Sequence, residues 1–380
     1  MTNDLSETLE IAQSAGKLPR ITGYNRIDGP GSSLDLREFQ EALWRLPEGP
    51  PPDGEDDFAE WSKDLPRTVG ITIDAGCVVE AHPHEPGKIA IVSADYAMRQ
   101  EAMPGHVPYA RDNWLLKLLD LFSLSGVRFE LHNLMAGTKS SGLGGSATAT
   151  TAAVLLANAL SGAGFNGEQV VALASMIEQD MGVSITGTQE QSNVVFGGVV
   201  DYVWFPWGLP GRQNCYGSSL RRTILHEADY PELASRIRVF HSGRERASTD
   251  VNSVWRERLR DQAGFDLHSR KLHLAYSFRE GLRKRDWDRV GYAMKAYADV
   301  RVELCGDYRT SECWDIQGQC EQFGAESFPL GAGGGGAVFV FSPDPNKLLE
   351  LDEALSKAYR KIDFEIKSKG HKIENLPIAV

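Results

Sequence analysis

A glycine-rich run that leads directly into a helix of small residues constrains this chain more than any other stretch. Residues 140–148 read Ser-Ser-Gly-Leu-Gly-Gly-Ser-Ala-Thr, and in 149–160 Ala and Leu recur at helical spacing on one apolar face. Such a helix start leaves backbone N–H groups unpaired at its positive end, and glycine lets a ligand approach the backbone. The run indicates a phosphate-binding loop, but an ordinary helix capped by Ser146 or Thr148 is equally compatible with it.

Two better-known motifs do not describe this run. A Walker-type loop requires Lys before the Ser or Thr that follows its last glycine, whereas Ser146 directly follows Gly145. A hydrolase nucleophile elbow requires glycine two residues after the serine, where Thr148 stands. The run is therefore not a P-loop, and a serine hydrolase is disfavoured.

Length and charge restrict the function further. The 380 residues exceed the size at which one core keeps growing, so two domains are expected. A net charge of −12 argues against broad binding to nucleic acids or anionic membranes. Residues 1–17 show no signal-peptide pattern, and 140–167 are too rich in Gly, Ser, Thr and Asn to span a bilayer. We expect a cytoplasmic protein with no nucleic-acid or membrane partner.

A second glycine segment occupies residues 331–336, which read Gly-Ala-Gly-Gly-Gly-Gly. Its sequence matches the dinucleotide-binding pattern Gly-x-Gly-x-x-Gly, but that pattern has to precede a helix. Residues 337–341 (Ala-Val-Phe-Val-Phe) predict a strand instead, so a dinucleotide site is not expected here. Glycines before a strand let another segment or a ligand approach the backbone closely.

The remaining patterns predict an α+β chain. In the first half, the patterns predict a strand pair over 69–81, a strand over 88–93, a helix over 114–122, a strand over 127–131 and a helix over 167–181. Residues 26–35 predict a structured turn, and the proline-rich, acidic residues 48–57 predict an exposed insertion, extended to about 45–65 with its flanks. After a connector at 210–219, a strand, helices, the second glycine loop and a further strand, helix and strand fit a ferredoxin-like unit.

Both glycine segments and several flanking motifs resemble those of the GHMP kinases. The run Gly142-Leu-Gly-Gly-Ser-Ala147 is similar to the ATP-binding signature of that superfamily, with Gly145 where serine is usual, and 331–336 resembles its C-terminal signature. The chain is most similar to D-glycero-D-manno-heptose 7-phosphate kinases and the kinase portion of bacterial fucokinases, whose Arg-Ile and Asp-Leu pairs correspond to residues 26–27 and 35–36. Residues 187–191 resemble their Gly-Lys-Gln-Asp-Gln.

The resemblance implies a two-domain GHMP kinase fold, with a ribosomal protein S5 domain 2-like domain over 1–207 and a ferredoxin-like domain over 208–380. It also implies transfer of the γ-phosphoryl group of ATP, with Mg²⁺, to a hydroxyl of a sugar or sugar phosphate, an anomeric hydroxyl of a heptose 7-phosphate-like acceptor being expected. The partner is a small molecule, and a homodimer is one of the oligomeric states left open.

The same resemblance assigns roles to individual residues. Glu190 and Arg26 carry catalysis, and Ser146 and Glu178 hold the metal. The nucleotide phosphates bind at Ser141, Gly142, Leu143, Gly144, Gly145, Ser146, Ala147 and Thr148. The acceptor binds at Asp35, Gln189, Arg244, Gly333, Gly334 and Gly335.

Two departures from the family pattern keep a second hypothesis open. Glu190 stands where the family has Asp, and Thr188 stands where it has Lys. The extra methylene moves the carboxylate by roughly 1 Å, which can cost on the order of 100-fold in rate. The chain is accordingly expected to be either an active kinase, with an acceptor suited to Glu190, or a weakened or inactive homologue that binds a sugar or nucleotide as a sensor or partner.

Overall fold

The computed structural model describes residues 3–45, 47–135, 141–206, 219–244 and 248–376, which form an α+β chain as predicted. The strands are β1 (Asn3–Asp4), β2 (Arg20–Asp28), β3 (Arg67–Pro83), β4 (Ile89–Ser93), β5 (Met98–Ala102), β6 (Leu124–Ser125), β7 (Val127–Asn133), β8 (Val199–Trp204), β9 (Ser219–Leu225), β10 (Ile237–His241), β11 (Glu326–Pro329), β12 (Ala337–Phe341), β13 (Arg360–Lys361) and β14 (His371–Glu374). The helices are α1 (Ser6–Ser14), α2 (Arg37–Leu43), α3 (Glu55–Ser62), α4 (Trp114–Leu121), α5 (Gly145–Ser161), α6 (Gly167–Asp180), α7 (Gln189–Phe196), α8 (Tyr230–Ala234), α9 (Ser248–Arg258), α10 (Gln262–Lys284), α11 (Trp287–Leu304), α12 (Ser311–Gln322) and α13 (Pro345–Leu355).

The long strand β3 organises the first sheet. It pairs with β2 along one edge, while its other edge pairs first with β8 and then with β7. The predicted strand pair over 69–81 is wrong, because these residues form one continuous strand. Gly76 lies within this strand where β2 and β3 approach closely: a Cβ there would lie 2.0 Å from the carbonyl oxygen of Gly23.

The second sheet confirms the predicted ferredoxin-like order. Its four antiparallel strands stand in the order β11-β12-β10-β13, and the chain passes through them as strand, helices, hairpin, helix and strand. Side chains alternate between its faces: Val239 and Phe339 pack with α10 and α11, whereas Phe240 and Val338 pack with α12 and α13.

The first sheet also receives two strands from beyond residue 207. Strand β9 pairs with β8, and β14 pairs with β2. The predicted boundary between residues 207 and 208 remains a prediction, but strand pairing makes the two halves interleave in sequence. Almost all of the predicted connector at 210–219 lies outside the described residues.

Helix α5 is held against the first sheet by small side chains. A Cβ added to Gly23 of β2 would lie 3.0 Å from Thr148 Cγ2 and 3.3 Å from Ala152 Cβ. Ala149, Ala152 and Ala153 belong to the same buried cluster as Val79 of β3. This close packing fixes where the helix begins, and with it the position of the first glycine run.

The acidic segment is more than an exposed insertion. Residues 48–57 are largely exposed, as predicted, but α3 begins within them and turns Phe58 inwards. Phe58 is completely buried in a cluster with Leu65, Val203 and Phe205. The composition of 48–57 does not predict this helix, because the apolar face of the helix begins only at Phe58.

Replacing Phe58 with Ala is expected to lower the free energy of unfolding by about 3–5 kcal/mol, because it empties a buried aromatic site. Denaturant unfolding of both proteins measures the difference. The matched control is Tyr292→Ala, which truncates an aromatic residue that is 68% exposed and should change stability by less than about 0.5 kcal/mol. Equal effects of the two substitutions would show that α3 does not contribute to the core.

No helix in the described part of the chain is long and apolar enough to cross a membrane.

Candidate functional site

The two glycine segments meet at one cavity of about 310 Å³. They are joined directly, since the backbone N–H of Ala337 donates to the carbonyl oxygen of Ser141 over 2.5 Å. The cavity receives side chains from β2 and the following turn, the first glycine run, α6, α7 and α9. Its polar and charged lining residues are Arg26, Asp28, Ser32, Ser33, Asp35, Tyr96, Ser141, Ser146, Glu178, Ser184, Thr186, Gln189, Glu190, Asn252 and Trp255.

The first glycine run opens α5 without a side-chain cap. Gly144 is the N-cap residue, with φ of 85°, and no side chain hydrogen-bonds to the helix start. The alternative of an ordinary helix capped by Ser146 or Thr148 is therefore wrong. Of the predicted phosphate-binding residues, Leu143 is fully buried and Thr148 packs against Gly23, and neither lines the cavity. The other six line it, which leaves a helix N-terminus open to a ligand.

Arg26 pairs with Glu190, the other candidate catalytic residue, and with Asp28. Its Nη2 donates to Asp28 Oδ2 over 2.8 Å and to Glu190 Oε1 over 2.6 Å, and its Nη1 donates to the carbonyl oxygen of Gly142 over 3.1 Å. Arg26 was predicted to lie in a turn, but β2 extends through Asp28 and the turn begins after it. The strand thereby brings a buried guanidinium between the glycine run and α7.

Asp28, which pairs with Arg26, and the nearby Asp35 are both buried. Asp28 accepts hydrogen bonds from Gln189 Nε2 (2.9 Å) and from the N–H of Gly331 (3.2 Å), and Asp35 accepts one from the N–H of Gln189 (3.0 Å). Burial raises the pKa of Asp28 to about 6, although Arg26 opposes the rise. Burial and the Glu190 carboxylate raise the pKa of Asp35 to about 7.

Ser146 and Glu178 meet as the resemblance implied. Ser146 Oγ donates to Glu178 Oε1 over 2.5 Å, while Gln191 Nε2 donates to Glu178 Oε2 over 3.0 Å. Glu178 is completely buried, and this burial raises the pKa of its carboxyl group to about 7. A hydroxyl and a carboxylate at the start of α5 form an oxygen donor set of the kind that Mg²⁺ prefers, so the residues present fit this ion.

Four of the predicted acceptor-binding residues do not line the cavity. The Arg244 side chain is exposed and pairs with Glu312 over 2.9 Å. Of the second glycine segment, Gly331 and Ala332 line the cavity, whereas Gly333, Gly334 and Gly335 do not. Gly333 instead packs against Tyr308, where a Cβ would lie 2.1 Å from the ring. These three glycines have φ values of 88°, 74° and 121°, so they shape the loop that brings Gly331 to Asp28.

Sequence reasoning missed several residues at this site. Asp28 received no role although it follows Arg26 by two residues, and Trp255 of α9 and Lys271 of α10 lie far away in the chain. Lys271 is completely buried and donates to Ser33 Oγ over 2.8 Å. Burial drives its pKa well below the ordinary value. No local sequence pattern distinguishes this lysine from the solvated charged residues on the same helix. Likewise, the sequence does not indicate the positive φ of 72° at Ser33, the residue that Lys271 contacts.

Replacing Gly144 with Ala is expected to reduce turnover, because its Cβ would lie 3.0 Å from Glu190 Cγ and 3.2 Å from Arg26 Nη1. The matched control is Gly162→Ala at the other end of α5. Gly162 has φ of 69° and nothing within 4 Å of a Cβ, so it shares the left-handed backbone strain of roughly 1–2 kcal/mol without touching the site. Steady-state kinetics and denaturant unfolding separate the two effects. Equal turnover in both variants would remove Gly144 from the positioning of Glu190.

Comparison with known proteins agrees with this architecture. The models for the N-terminal and C-terminal domains of GHMP kinases match residues 113–198 and 278–361. Three solved structures illustrate the shared fold. A D-glycero-D-manno-heptose 1-phosphate kinase from Bacteriodes thetaiotaomicron is 15% identical, with a TM-score of 0.66 over 93% of this chain and 98% of that one. A Lactococcus lactis galactokinase in complex with galactose is 12% identical, with a TM-score of 0.65 over 97% and 99%.

The third, a mevalonate kinase from Methanococcus jannaschii, is 15% identical, with a TM-score of 0.62 over 92% of this chain and 98% of that one. A search of curated protein sequences found no significant match. With both domain models matched in order, the chain has the two-domain GHMP kinase fold.

Proposed function

We propose that this chain is an ATP-dependent kinase that phosphorylates a hydroxyl group, anomeric in the simplest case, of a sugar or sugar phosphate such as a heptose 7-phosphate. The observation that carries the proposal is the placement of three features on one cavity. These are the uncapped start of α5, the hydrogen-bonded pair of Ser146 and Glu178, and the ion pair of Glu190 with Arg26. Phosphoryl transfer requires positioning and charge neutralisation more than covalent catalysis, and this cavity offers groups for both.

The roles follow from the chemistry of each group. The N–H groups at the start of α5 bind the ATP phosphates, while Ser146 and Glu178 would hold Mg²⁺, which would neutralise charge on the transferred group. As the acceptor oxygen bonds to the γ-phosphorus, the bond from that phosphorus to the β–γ bridging oxygen breaks and ADP leaves. Glu190 takes the proton of the attacking hydroxyl, and Arg26 orients the Glu190 carboxylate.

The first experiment is ATP consumption with Mg²⁺ over a panel of free hexoses, free heptoses and their phosphates, together with nucleotide binding by calorimetry. Turnover on any member supports the kinase and identifies its acceptor class. Absence of nucleotide binding would contradict the proposal. Nucleotide binding without turnover on any member would favour the second candidate, a non-catalytic homologue that acts as a sensor or partner, for which Glu190 and Thr188 are the motivating departures.

A further inference from the structure

The charge of the cavity restricts which acceptors can enter it. Among the described residues that line the cavity, Arg26 is the one Lys or Arg, against the four carboxyl groups of Asp28, Asp35, Glu178 and Glu190. Arg26 is already engaged, because it donates to Asp28, to Glu190 and to the carbonyl oxygen of Gly142. The described part of the lining therefore offers no uncommitted positive charge to a second anion.

Two further cations lie behind the lining rather than in it. Lys271 donates to Ser33 Oγ, and Arg301 donates to the Tyr297 hydroxyl over 3.0 Å and to the carbonyl oxygen of Gly331 over 2.7 Å. Both are completely buried. Both contact the ring of Trp255, at 4.9 Å for Lys271 Nζ and 4.1 Å for Arg301 Cζ. Trp255 lines the cavity and Lys271 and Arg301 do not, so both side chains are engaged by the ring and by backbone and hydroxyl oxygens rather than by the cavity.

The groups that do line this part of the cavity suit hydroxyls. The carboxylates of Asp28 and Asp35 accept strong hydrogen bonds from O–H donors. The indole N–H of Trp255, which is 1% exposed, has no hydrogen-bond partner in the described part of the chain and can donate to a hydroxyl or ring oxygen. Each hydroxyl group of a polyol can both donate and accept a hydrogen bond. The accepting carboxylates and the donating indole N–H therefore suit a polyol.

We propose that the acceptor is an uncharged polyhydroxy compound, a free sugar, and that sugar phosphates are discriminated against. This inference rests on the proposed function and selects one of its two acceptor classes. The nucleotide phosphates have the start of α5 and a divalent cation to compensate them. A phosphate on the acceptor would face Glu190 and, above pH about 7, an ionised Asp35 instead, and like charges at contact distance repel strongly in a partly enclosed site.

The test compares kcat/KM for pairs that differ only in one phosphate, namely D-mannose with its 6-phosphate, D-galactose with its 6-phosphate and sedoheptulose with its 7-phosphate. We expect at least about a tenfold preference for the free member of the best pair. An equal or higher kcat/KM for the phosphorylated member would overturn the inference and leave the kinase proposal standing. Absence of ATP consumption with every pair would overturn the kinase proposal, and this inference with it.

Removal of the Asp35 charge tests whether electrostatic repulsion causes the preference for the free sugar. Asp35→Asn keeps an oxygen that can accept from the N–H of Gln189, and at pH 8, where the Asp35 carboxyl is mostly ionised, it should raise the ratio of phosphorylated to free acceptor use by about tenfold. The control is Asp363→Asn, which removes a carboxylate that is 86% exposed and lies outside the cavity, and should leave the ratio unchanged. An unchanged ratio in the Asp35→Asn variant would show that the carboxylate does not repel the phosphate and would overturn the electrostatic explanation.

Discussion

Replacement of Glu190 with Gln should lower kcat by about 10²- to 10⁴-fold, the usual contribution of a positioned general base. Gln keeps the size of the side chain and can still accept a hydrogen bond from Arg26, so the geometry of the ion pair is largely preserved while the proton acceptor is lost. Nucleotide binding should stay nearly intact because the start of α5 is unaltered. Single-turnover kinetics and calorimetric titration with nucleotide measure the two quantities separately.

The matched control is Glu168→Gln. Glu168 is also a partly exposed glutamate paired with an arginine, Arg221, but it lies outside the cavity and should leave turnover unchanged. Glu190→Asp tests the reach of the carboxylate: withdrawing it by roughly 1 Å should cost up to about 100-fold. Full activity of Glu190→Gln would remove this residue from the mechanism.

Replacement of Arg26 with Met should lower the free energy of unfolding by about 3–5 kcal/mol. Arg26 is 2% exposed and Asp28 is fully buried, so the variant leaves a buried carboxyl with two neutral donors and without its ion-pair partner. Denaturant unfolding measures the loss. The variant Arg26→Met/Asp28→Asn removes both charges and should recover most of the stability without recovering turnover. A double variant as unstable as the single one would show that the cost comes from lost packing.

The loss of unfolding free energy caused by Arg26→Met should also depend on pH. The pKa of Asp28 is raised to about 6 in the folded chain, so the folded state binds a proton that the unfolded state lacks as the pH falls through this value. The stability associated with this proton is present at low pH and is lost as the pH rises through about 6. Arg26→Met should accordingly differ less from the parent protein at pH 5 than at pH 8. A constant difference would show that Asp28 does not titrate in this range.

The parts of the site that depend on local chain properties were predictable from the sequence. The first glycine run lies at a helix start because helical periodicity and glycine conformation are both encoded within a few residues. The contact of Ser146 with Glu178 was implied by the resemblance, and the structure places these side chains in hydrogen-bond contact. The roles of these residues remain proposals.

The parts that depend on tertiary packing were not predictable. A strand pair was predicted over 69–81, but Gly76 lies within one strand at the close approach of β2 and β3, which no local pattern indicates. Arg244 has the charge expected of a ligand-binding residue, but Glu312 holds it at the surface. Lys271 has the sequence context of a solvated lysine, and only the packing of α10 against Phe39 and Trp255 buries it.

Strands from both halves of the sequence pair in the first sheet, and this limits how the protein can be divided into fragments. A fragment that stops at residue 207 lacks β9 and β14, so both β8 and β2 lose a neighbour and expose unpaired backbone groups. The complementary fragment carries those two strands without the sheet that they complete. The first half alone therefore has an incomplete sheet, and nucleotide binding has to be studied on the whole chain rather than on an excised glycine-loop domain.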